Sequence, residues 1–399
     1  MITDKGPLDG VRVLDFTRVL SGPYATMILG DLGAEVIKIE SLEKGDETRN
    51  FPPYVGDLSH YFIALNRNKS SITLDLKTPE GAKIAKDLAA TSDVVIENFR
   101  PGVMDKLGLG YEELKKDNPA LVYCAISGFG AEGPLKDKPS FDIVAQALSG
   151  IMSVNREPDQ SPTKLGVPLG DMSGGIFGVF GILAALHEAT TKKVGRKVDI
   201  SMLDSLLGML GYLSQLYFVT GKTPEPYGTR HPNIVPYGAI ETADGHIIVA
   251  CLTEGFWRNF ANAMGRADLL EDPRYAAYED RLANREGLEA LITEIFKTDT
   301  TAAWTQKMEE FDVPHAPILS IAEALDHPNT AARGMIQTVT HPEIGPLKMV
   351  SNPVKFVGHT PPEPTPPPKL GENTNTVLSD LLGYTTDEIN SLKTKGVIS

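Results

Sequence analysis

The sequence predicts an α/β fold, in which a large domain with a doubly wound, mostly parallel sheet is joined to a smaller α+β domain. Between residues 11 and 127, continuous apolar runs rich in Val and Ile alternate with helical patterns. Such runs are typical of strands covered on both faces of a sheet. Beyond residue 222 the pattern changes to a hairpin and short amphipathic helices. The hydrophobic content of 41% and charged content of 23% are ordinary for a globular chain.

The predicted strands of the large domain are 11–16, 35–40, 72–76, 93–98 and 121–127, with helices between them. One helix start is well marked, because Thr78-Pro79-Glu80 combines a capping hydroxyl, a proline at the first helical position and an acid in the first turn.

The smaller domain is predicted from residues 237–251, an antiparallel hairpin whose turn is Asp244-Gly245. Amphipathic helices follow at 255–264 and 301–311. We expect the large domain to comprise 1–222 and 328–399, and the small one 223–327. Strand-like character returns at 335–356. The proline-dense segment 359–374 is predicted to be an extended arm that lies across a surface or a partner subunit.

Charge and composition exclude several functions. A net charge of −14 argues against nucleic acid or a membrane as a partner, since both favour basic proteins. The N-terminus lacks a signal-like pattern, and the apolar stretches 174–186 and 206–219 are too short for a membrane span and predict buried helices. The predicted location is therefore cytoplasmic. Cys124 and Cys251 lie in apolar runs and are expected to be buried thiols.

Common cofactor motifs are missing or misplaced. Gly128–Gly133 matches the dinucleotide pattern G-x-G-x-x-G, but Pro134 and Pro139 follow, where a phosphate-binding helix would have to begin. This argues against a dehydrogenase, and these glycines predict a turning loop. The eight histidines are scattered, with no metal-binding spacing. We expect neither a metal nor a redox cofactor.

One acid has distinctive neighbours. Asp171 lies in Gly-Asp-Met-Ser-Gly-Gly, directly before an apolar helix rich in small residues. These features suit an aspartate that caps the helix N-terminus. They also suit a nucleophilic carboxylate, because glycines allow a ligand to approach and helix N–H groups can stabilise an anion. The residues alone leave both alternatives open.

Several segments together resemble the class III CoA-transferases, the family of formyl-CoA:oxalate, carnitine and succinyl-CoA-dependent dicarboxylate CoA-transferases. They occur in one order along nearly the whole chain: TRVLSGPYATMILGDLGAEVIKIE, GDETRNF, NRNKSSITLDLK, IENFRPGVMDKLGLGYEEL, FDIVAQALSG, GDMSGGIFG and GRKVDISMLDS. The resemblance implies that acyl-CoA and a small carboxylic acid are the substrates. It also implies an interlocked homodimer and a covalent aspartyl intermediate.

The resemblance also assigns site residues. Asp171 would be the catalytic carboxylate. The residues implied to contact CoA or its acyl group are Arg18, Val19, Leu20 and Ser21, through their backbone, together with Asn98, Phe99, Lys106 and Met202.

Departures from the family pattern bear on specificity. Leu20 and Phe141 stand where formyl-CoA transferase has a glutamine and a tyrosine, so succinyl-CoA or another dicarboxylyl-CoA is favoured over an oxalate system. The α-methylacyl-CoA racemases share the fold and are the competing enzyme class. They need a histidine base at the position of Phe141, which cannot exchange a proton. A non-catalytic CoA-binding protein is the third hypothesis.

Three basic residues are candidates for binding the distal carboxylate of a dicarboxylyl group. Arg49 follows Gly-Asp-Glu-Thr, and Arg230-His231 lies in YGTRHPNIVPY. A guanidinium can donate two parallel hydrogen bonds to one carboxylate. The alternative for Arg49 is a structural ion pair with Asp46 or another acid.

Overall fold

The computed structural model describes residues 6–359 and 362–399. Its strands are β1 (Arg12–Asp15), β2 (Glu35–Glu40), β3 (Tyr54–Val55), β4 (Leu58–Ser59), β5 (Lys69–Thr73), β6 (Val94–Glu97), β7 (Val122–Ser127), β8 (Lys197–Ser201), β9 (Tyr237–Glu241), β10 (His246–Ala250), β11 (His315–Pro317), β12 (Ile336–His341) and β13 (Gly345–Val350).

The helices are α1 (Ser21–Asp31), α2 (His60–Leu65), α3 (Pro79–Ala90), α4 (Val103–Lys106), α5 (Tyr111–Leu114), α6 (Asp142–Leu148), α7 (Ile151–Val154), α8 (Leu169–Lys192), α9 (Met202–Met209), α10 (Tyr212–Thr220), α11 (Glu254–Ala263), α12 (Tyr278–Ala283), α13 (Arg285–Phe296), α14 (Thr301–Glu310), α15 (Ile321–Asp326), α16 (Pro328–Ala332), α17 (Thr374–Leu382) and α18 (Thr386–Thr394). Short 3₁₀ helices span Glu47–Asn50 and Ala267–Leu270.

The central sheet has six parallel strands in the order β5-β2-β1-β6-β7-β8. One face is covered by α1 and α8, and the other by α3, α17 and α18. The predicted doubly wound α/β fold is therefore confirmed. The edge strand β8 was missed from the sequence, since its residues alternate between exposed and half-buried positions.

The strand expected at 72–76 is wrong in its bounds, because β5 spans Lys69–Thr73. The polar run Lys-Ser-Ser lies inside the protein. Lys69 contacts Asp15 at 3.3 Å and Ser71 donates to Glu40 at 2.6 Å. A buried strand with polar and charged residues can be recognised only when the partners of those residues are known.

The chain forms two compact units. Unit 1 contains 1–152, 164–219 and 331–399, and unit 2 contains 153–163 and 220–330. A compact unit need not be an independently folding domain, so the predicted domain boundaries stay predictions.

Unit 2 confirms the predicted hairpin and both amphipathic helices. Strands β9 and β10 pair antiparallel, with β11 on the other side of β10. Helices α11 and α14 each begin after a threonine whose side chain accepts a backbone N–H. Its core stacks aromatic rings, with the centroids of Phe296 and Trp304 4.2 Å apart. Arg281 is buried beside Trp257.

Other local predictions can be followed directly. Thr78 accepts from the N–H of Gly81 and Pro79 begins α3, as expected. Residues 128–140 form turns and bends, with α6 starting only at Asp142. The predicted buried thiols are confirmed, since Cys124 and Cys251 are both free and buried.

The proline-rich arm lies along its own unit. The N–H of Thr365 donates to Asn68 Oδ1 at 2.7 Å, and the carbonyl of Pro368 accepts from Arg49. Residues 362–369 form neither helix nor strand, in agreement with the expected extended segment. Thr360 and Pro361 of the predicted arm, and residues 1–5 of the predicted large domain, lie outside the described residues.

Among the described helices, only Leu169–Lys192 is by itself long and apolar enough to cross a membrane, and half of its most apolar window is buried within the protein. The bent pair α9 and α10 passes the same test only when taken together. Core helices of soluble proteins have the same composition.

Candidate active site

Asp171 is the third residue of α8, which begins at Leu169 after Pro168. The interpretation of Asp171 as the N-cap residue is therefore wrong, because the helix starts three residues earlier than the sequence suggested. Capping is supplied from another helix. Asp142, at the start of α6, accepts from the N–H of Gly170 at 2.7 Å and from that of Asp171 at 3.4 Å.

The electrostatic environment of Asp171 is unusual for an aspartate. Burial, followed by the nearby carboxylate of Asp142, raises the pKa of Asp171 from 3.8 to about 7. Burial raises the pKa of Tyr61 to about 12, with a further contribution from the charge of Asp171. A partly desolvated carboxylate that ionises near neutral pH is suited to nucleophilic or acid–base chemistry.

The first turns of α8 pack closely against the start of α1. Gly174 and Gly175 lie three and four residues after Asp171 and so share its helix face. A Cβ atom on Gly174 would lie 3.0 Å from Ser21 Oγ, and one on Gly175 would lie 2.6 Å from the Ser21 carbonyl oxygen. The glycines after Asp171 thus allow the backbone of α1 to approach the face that carries the carboxylate.

The loop between β1 and α1 is held in a strained conformation beside this face. Val19 has φ +67°, which is rare for a β-branched residue. Its N–H donates to Asp46 Oδ1 at 3.2 Å. The peptide of Arg18 is clamped by Asn98, which accepts from its N–H at 2.8 Å and donates to its carbonyl at 2.7 Å. Backbone strain of this kind is commonly held at functional sites.

A buried charge network lies beneath the loop. Lys38 contacts Asp46 at 3.0 Å and donates to the carbonyl of Thr17 at 2.7 Å. Lys69 contacts Asp15, which also accepts from the Thr17 hydroxyl. Burial raises the pKa of Asp15, but the charges of Lys69 and Lys38 outweigh this effect and hold the pKa below its ordinary value. Burial lowers the pKa of Lys69 to about 8. The network fixes the loop from below.

A cavity of about 530 Å³ opens at this point, and it gathers most of the predicted site residues. The predicted residues among its lining are Arg18, Val19, Leu20, Ser21, Asn98, Phe99, Phe141, Asp171 and Met202. Lys106 lines a second cavity of about 440 Å³, which shares Arg18, Phe99 and Val103 with the first.

The two cavities carry local positive charge in an otherwise acidic protein. In each cavity the cations outnumber the acids. The first is lined by Arg18, Arg100, Lys136 and Lys138 beside Glu47 and Asp171, and the second by Arg18, Lys38, Lys77 and Lys106 beside Glu40, Asp46 and Asp75. The guanidinium of Arg18 also lies 4.7 Å from the ring centroid of Phe99. A net charge of −14 is thus compatible with an anionic ligand, because these cavities supply their own basic lining.

Arg49 is bound inside unit 1. Its Nη2 and Nε atoms donate to Glu40 at 2.7 and 2.8 Å, and its guanidinium lies 3.7 Å from the ring centroid of Phe62. The expected alternative of a structural ion pair has Glu40 rather than Asp46 as its partner. Any contact of Arg49 with substrate stays a prediction. Arg230 and His231 belong to unit 2, where Arg230 contacts Glu289 at 3.5 Å, and their role in the site also stays a prediction.

Sequence reasoning missed two residues of the site. Asp142 was seen only as part of a family segment, although it caps the helix that carries Asp171. Tyr61 had no signal in the sequence, because its proximity to Asp171 arises only when α2 is placed. Within the described residues, no group of three or more His, Cys, Asp or Glu is arranged to hold a metal.

Comparisons with known proteins show what the whole chain is similar to. The family model for CoA-transferase family III matches residues 8–374. An acetyl-CoA:oxalate CoA-transferase of Acetobacter aceti is 41% identical over 370 residues, covering 92% of this chain and 94% of the relative. The Homo sapiens succinyl-CoA:glutarate CoA-transferase is 36% identical over 393 residues, covering 98% and 90%. The crystal structure of a CaiB/BaiF family protein from Brucella suis superposes with a TM-score of 0.85 at 36% identity, covering 94% of this chain and 99% of that one.

Proposed function

The chain belongs to CoA-transferase family III, and from this membership we propose that it moves CoA from succinyl-CoA or another dicarboxylyl-CoA to a small carboxylic acid through a covalent intermediate on Asp171. One observation carries the proposal. Asp171, with its raised pKa, lines a basic cavity together with eight other residues expected to contact CoA or substrate.

The chemistry proceeds by acyl exchange. An Asp171 carboxylate oxygen attacks the thioester carbonyl of the donor, and the C–S bond breaks to give an aspartyl–acyl anhydride and CoA thiolate. The thiolate then attacks the aspartyl carbonyl, which releases the donor acid and leaves an aspartyl-CoA thioester. The acceptor carboxylate repeats the two steps in reverse. A fixed carboxylate turns one difficult transfer into several easier ones.

The two adjoining cavities suit the size and charge of CoA. The nucleotide end of CoA carries phosphates, for which Arg and Lys side chains are the usual protein partners. We place the reactive thioester beside Asp171 in the first cavity. The rest of the cofactor then extends past Arg18 and Phe99 toward Lys106 in the second.

The Homo sapiens relative, named for succinyl-CoA and glutarate, supports a dicarboxylate specificity. The Acetobacter aceti relative is named for acetyl-CoA and oxalate, the acid that Leu20 and Phe141 argue against. The decisive experiment supplies purified protein with succinyl-CoA or acetyl-CoA and a panel of glutarate, oxalate, acetate and butyrate, and identifies the acyl-CoA products by mass spectrometry. We expect the fastest transfer between dicarboxylates. Faster transfer to acetate or butyrate would contradict the assignment of substrate class.

The covalent intermediate has its own test. With succinyl-CoA alone, the peptide containing Asp171 is expected to gain the mass of CoA, and Asp171→Ala is expected to give no adduct. Turnover without any adduct on Asp171 in rapidly quenched samples would contradict the mechanism while leaving the activity intact.

Racemase activity is the second candidate function, and the identity of residue 141 bears on it. Phe141 lines the cavity where a racemase would place its second base, and the described residues that line this cavity include no histidine. We expect no catalytic deuterium exchange at C2 of a 2-methylacyl-CoA in D₂O without an acceptor acid. Rapid exchange would favour the racemase instead.

A homodimer is also part of the proposal. Apolar side chains on the outer faces of α8 and α10 are exposed, including Phe180 at 60% and Phe218 at 72%. Large exposed apolar side chains that form a patch commonly mark an interface, and the family resemblance implies a second copy of this chain. Sedimentation analysis is expected to give twice the 43.2 kDa chain mass. The cytoplasmic location and the absence of membrane and nucleic-acid partners stay predictions.

A further inference from the structure

The hydroxyl of Ser21 is a buried polar group without a hydrogen-bond partner among the described residues. Ser21 is 3% exposed, and its Oγ makes no hydrogen bond to any of residues 6–359 and 362–399. Burying a hydroxyl without a hydrogen bond is unfavourable. Native proteins rarely keep such a group unless a ligand or water completes it. Ser21 lines the cavity that contains Asp171. Its Oγ is shielded from solvent, so a change of the χ1 rotamer brings the hydroxyl to a ligand bound there.

The position of Ser21 adds a second donor array. Ser21 and Gly22 open α1, an eleven-residue helix, and within the described chain no side chain caps its N-terminus. The first N–H groups of a helix lack intrahelical partners and carry partial positive charge. The buried hydroxyl and these N–H groups belong to the same first turn.

The relation of Ser21 to Asp171 is set by α8. Gly174 lies on the same helix face as Asp171, one turn further on. A Cβ atom on Gly174 would lie only 3.0 Å from Ser21 Oγ, so the glycine leaves room for the hydroxyl. Ser21 and Asp171 therefore line the same cavity from the neighbouring helices α1 and α8. Ser21 Oγ and Asp171 make no hydrogen bond to each other, and both residues line the cavity in which a reacting group would bind.

We propose that Ser21 Oγ, with the N–H groups that open α1, is the oxyanion site of the transferase and donates to the thioester carbonyl oxygen when Asp171 attacks it. In this step the Asp171 oxygen forms a C–O bond, and the carbonyl π electrons move to the oxygen that Ser21 contacts. The electrons return as the C–S bond breaks and CoA thiolate leaves. Ser21 keeps its proton throughout. This inference rests on the proposed function and adds a catalytic role for a side chain that the resemblance assigned only a backbone contact.

The mechanism predicts that activity and stability respond in opposite ways to Ser21→Ala. Removal of one oxyanion donor typically lowers the rate by about 10²- to 10³-fold. Because the hydroxyl has no partner in the free protein, its removal is expected to leave Tm unchanged or raise it. The matched control is Ser92→Ala. Ser92 is 2% exposed, lies after α3, and donates to the Leu88 carbonyl at 2.8 Å. This control is expected to lower Tm and leave kcat unchanged.

The experiment measures three proteins, wild type, Ser21→Ala and Ser92→Ala, in rapid-quench reactions with succinyl-CoA alone and in turnover with glutarate. The expected result is adduct formation on Asp171 that is about 10²-fold slower in Ser21→Ala, with an unchanged Tm. Equal rates in Ser21→Ala and wild type would overturn the inference alone, as would a rate loss explained by a lower Tm. Wild type that forms no adduct would overturn the proposed mechanism and this inference with it.

Discussion

The two compact units treat buried polar groups differently. In unit 2, the buried Arg281 donates to the carbonyls of Val235, Tyr275 and Ala276 and to Glu254, so its charge is fully used by the fold. In unit 1, Asp171 is half-buried near a second carboxylate, and among the described residues no cation lowers its pKa. Unit 2 pairs its buried Arg281, whereas unit 1 has, besides the paired lysines Lys38 and Lys69, a carboxylate without a cation that we propose to be the reactive one.

The two units also differ in where their polar groups without hydrogen-bond partners lie. Trp257 Nε1 of unit 2 also has no partner in the described chain, but it lies within an aromatic core. In unit 1, Val19, Ser21 and Asp171 all line one cavity. Val19 is strained, and the Ser21 hydroxyl has no hydrogen-bond partner among the described residues. An unsatisfied group indicates function when it faces space that a ligand can fill, and several such groups together indicate it more strongly.

The largest expected effect comes from Asp171→Asn, which removes the reactive charge. Transfer should be abolished, because an amide is not a competent nucleophile. The folded-state pKa of about 7 lies above the ordinary 3.8, so the folded protein binds this proton more tightly and its stability falls as pH rises between these values. Asp171→Asn should therefore have a higher Tm than wild type at about pH 8, and the gain should vanish near pH 4. Retained turnover, or a lower Tm at pH 8, would contradict the role of Asp171.

The next effect concerns the charge network under the loop. Lys38→Met leaves the buried Asp46 without its cation and frees the Thr17 carbonyl. Breaking one side of a buried ion pair costs about 3–5 kcal/mol. We expect a loss of that size in urea unfolding together with a lower kcat below Tm, because the network holds the strained loop.

The control for the network is in the other unit. Arg281→Met should also reduce the free energy of unfolding, but it should leave kcat unchanged below Tm. If both variants lose stability and neither loses kcat, the network of unit 1 is structural in the same sense as Arg281, and the contrast between the units disappears.

A smaller effect is expected from Asp142→Asn. Asparagine can still accept from the N–H groups of Gly170 and Asp171, but it removes the negative charge that helps to raise the pKa of Asp171. The acid limb of the kcat/KM profile should move to lower pH by less than about one unit, since burial is the larger cause. Asp142→Ala, which also removes the cap, should lower Tm further. An unmoved acid limb would mean that another group titrates in the profile.

The smallest effect is expected in the selectivity of Arg49→Lys. Lysine keeps the charge beside Glu40 but loses the two-pronged contact. If Arg49 serves the fold, the ratio of kcat/KM for glutarate to that for acetate should change by less than about twofold. If Arg49 binds the distal carboxylate, glutarate should lose roughly tenfold more, as expected for a charge-assisted contact of about 1.5 kcal/mol or more.

The sequence by itself determined the α/β class, the hairpin of unit 2 and the helix beginning at Pro79, because continuous apolar runs, an Asp-Gly turn and a Thr-Pro start are local signals. It also singled out Asp171 by its glycines, and motif resemblance selected the residues that meet around it. These features depend on neighbours in the chain.

Only the tertiary structure decided where buried polar groups find their partners. The strand β5 was misplaced because Lys69 and Ser71 are compensated by Asp15 and Glu40 from other strands. Asp171 proved to lie inside its helix, with the cap supplied by Asp142, 29 residues away. The unpartnered state of Ser21 could not be read from the chain at all. Desolvation and hydrogen bonding depend on what surrounds a group in space, and sequence spacing does not specify this when the partners come from distant segments.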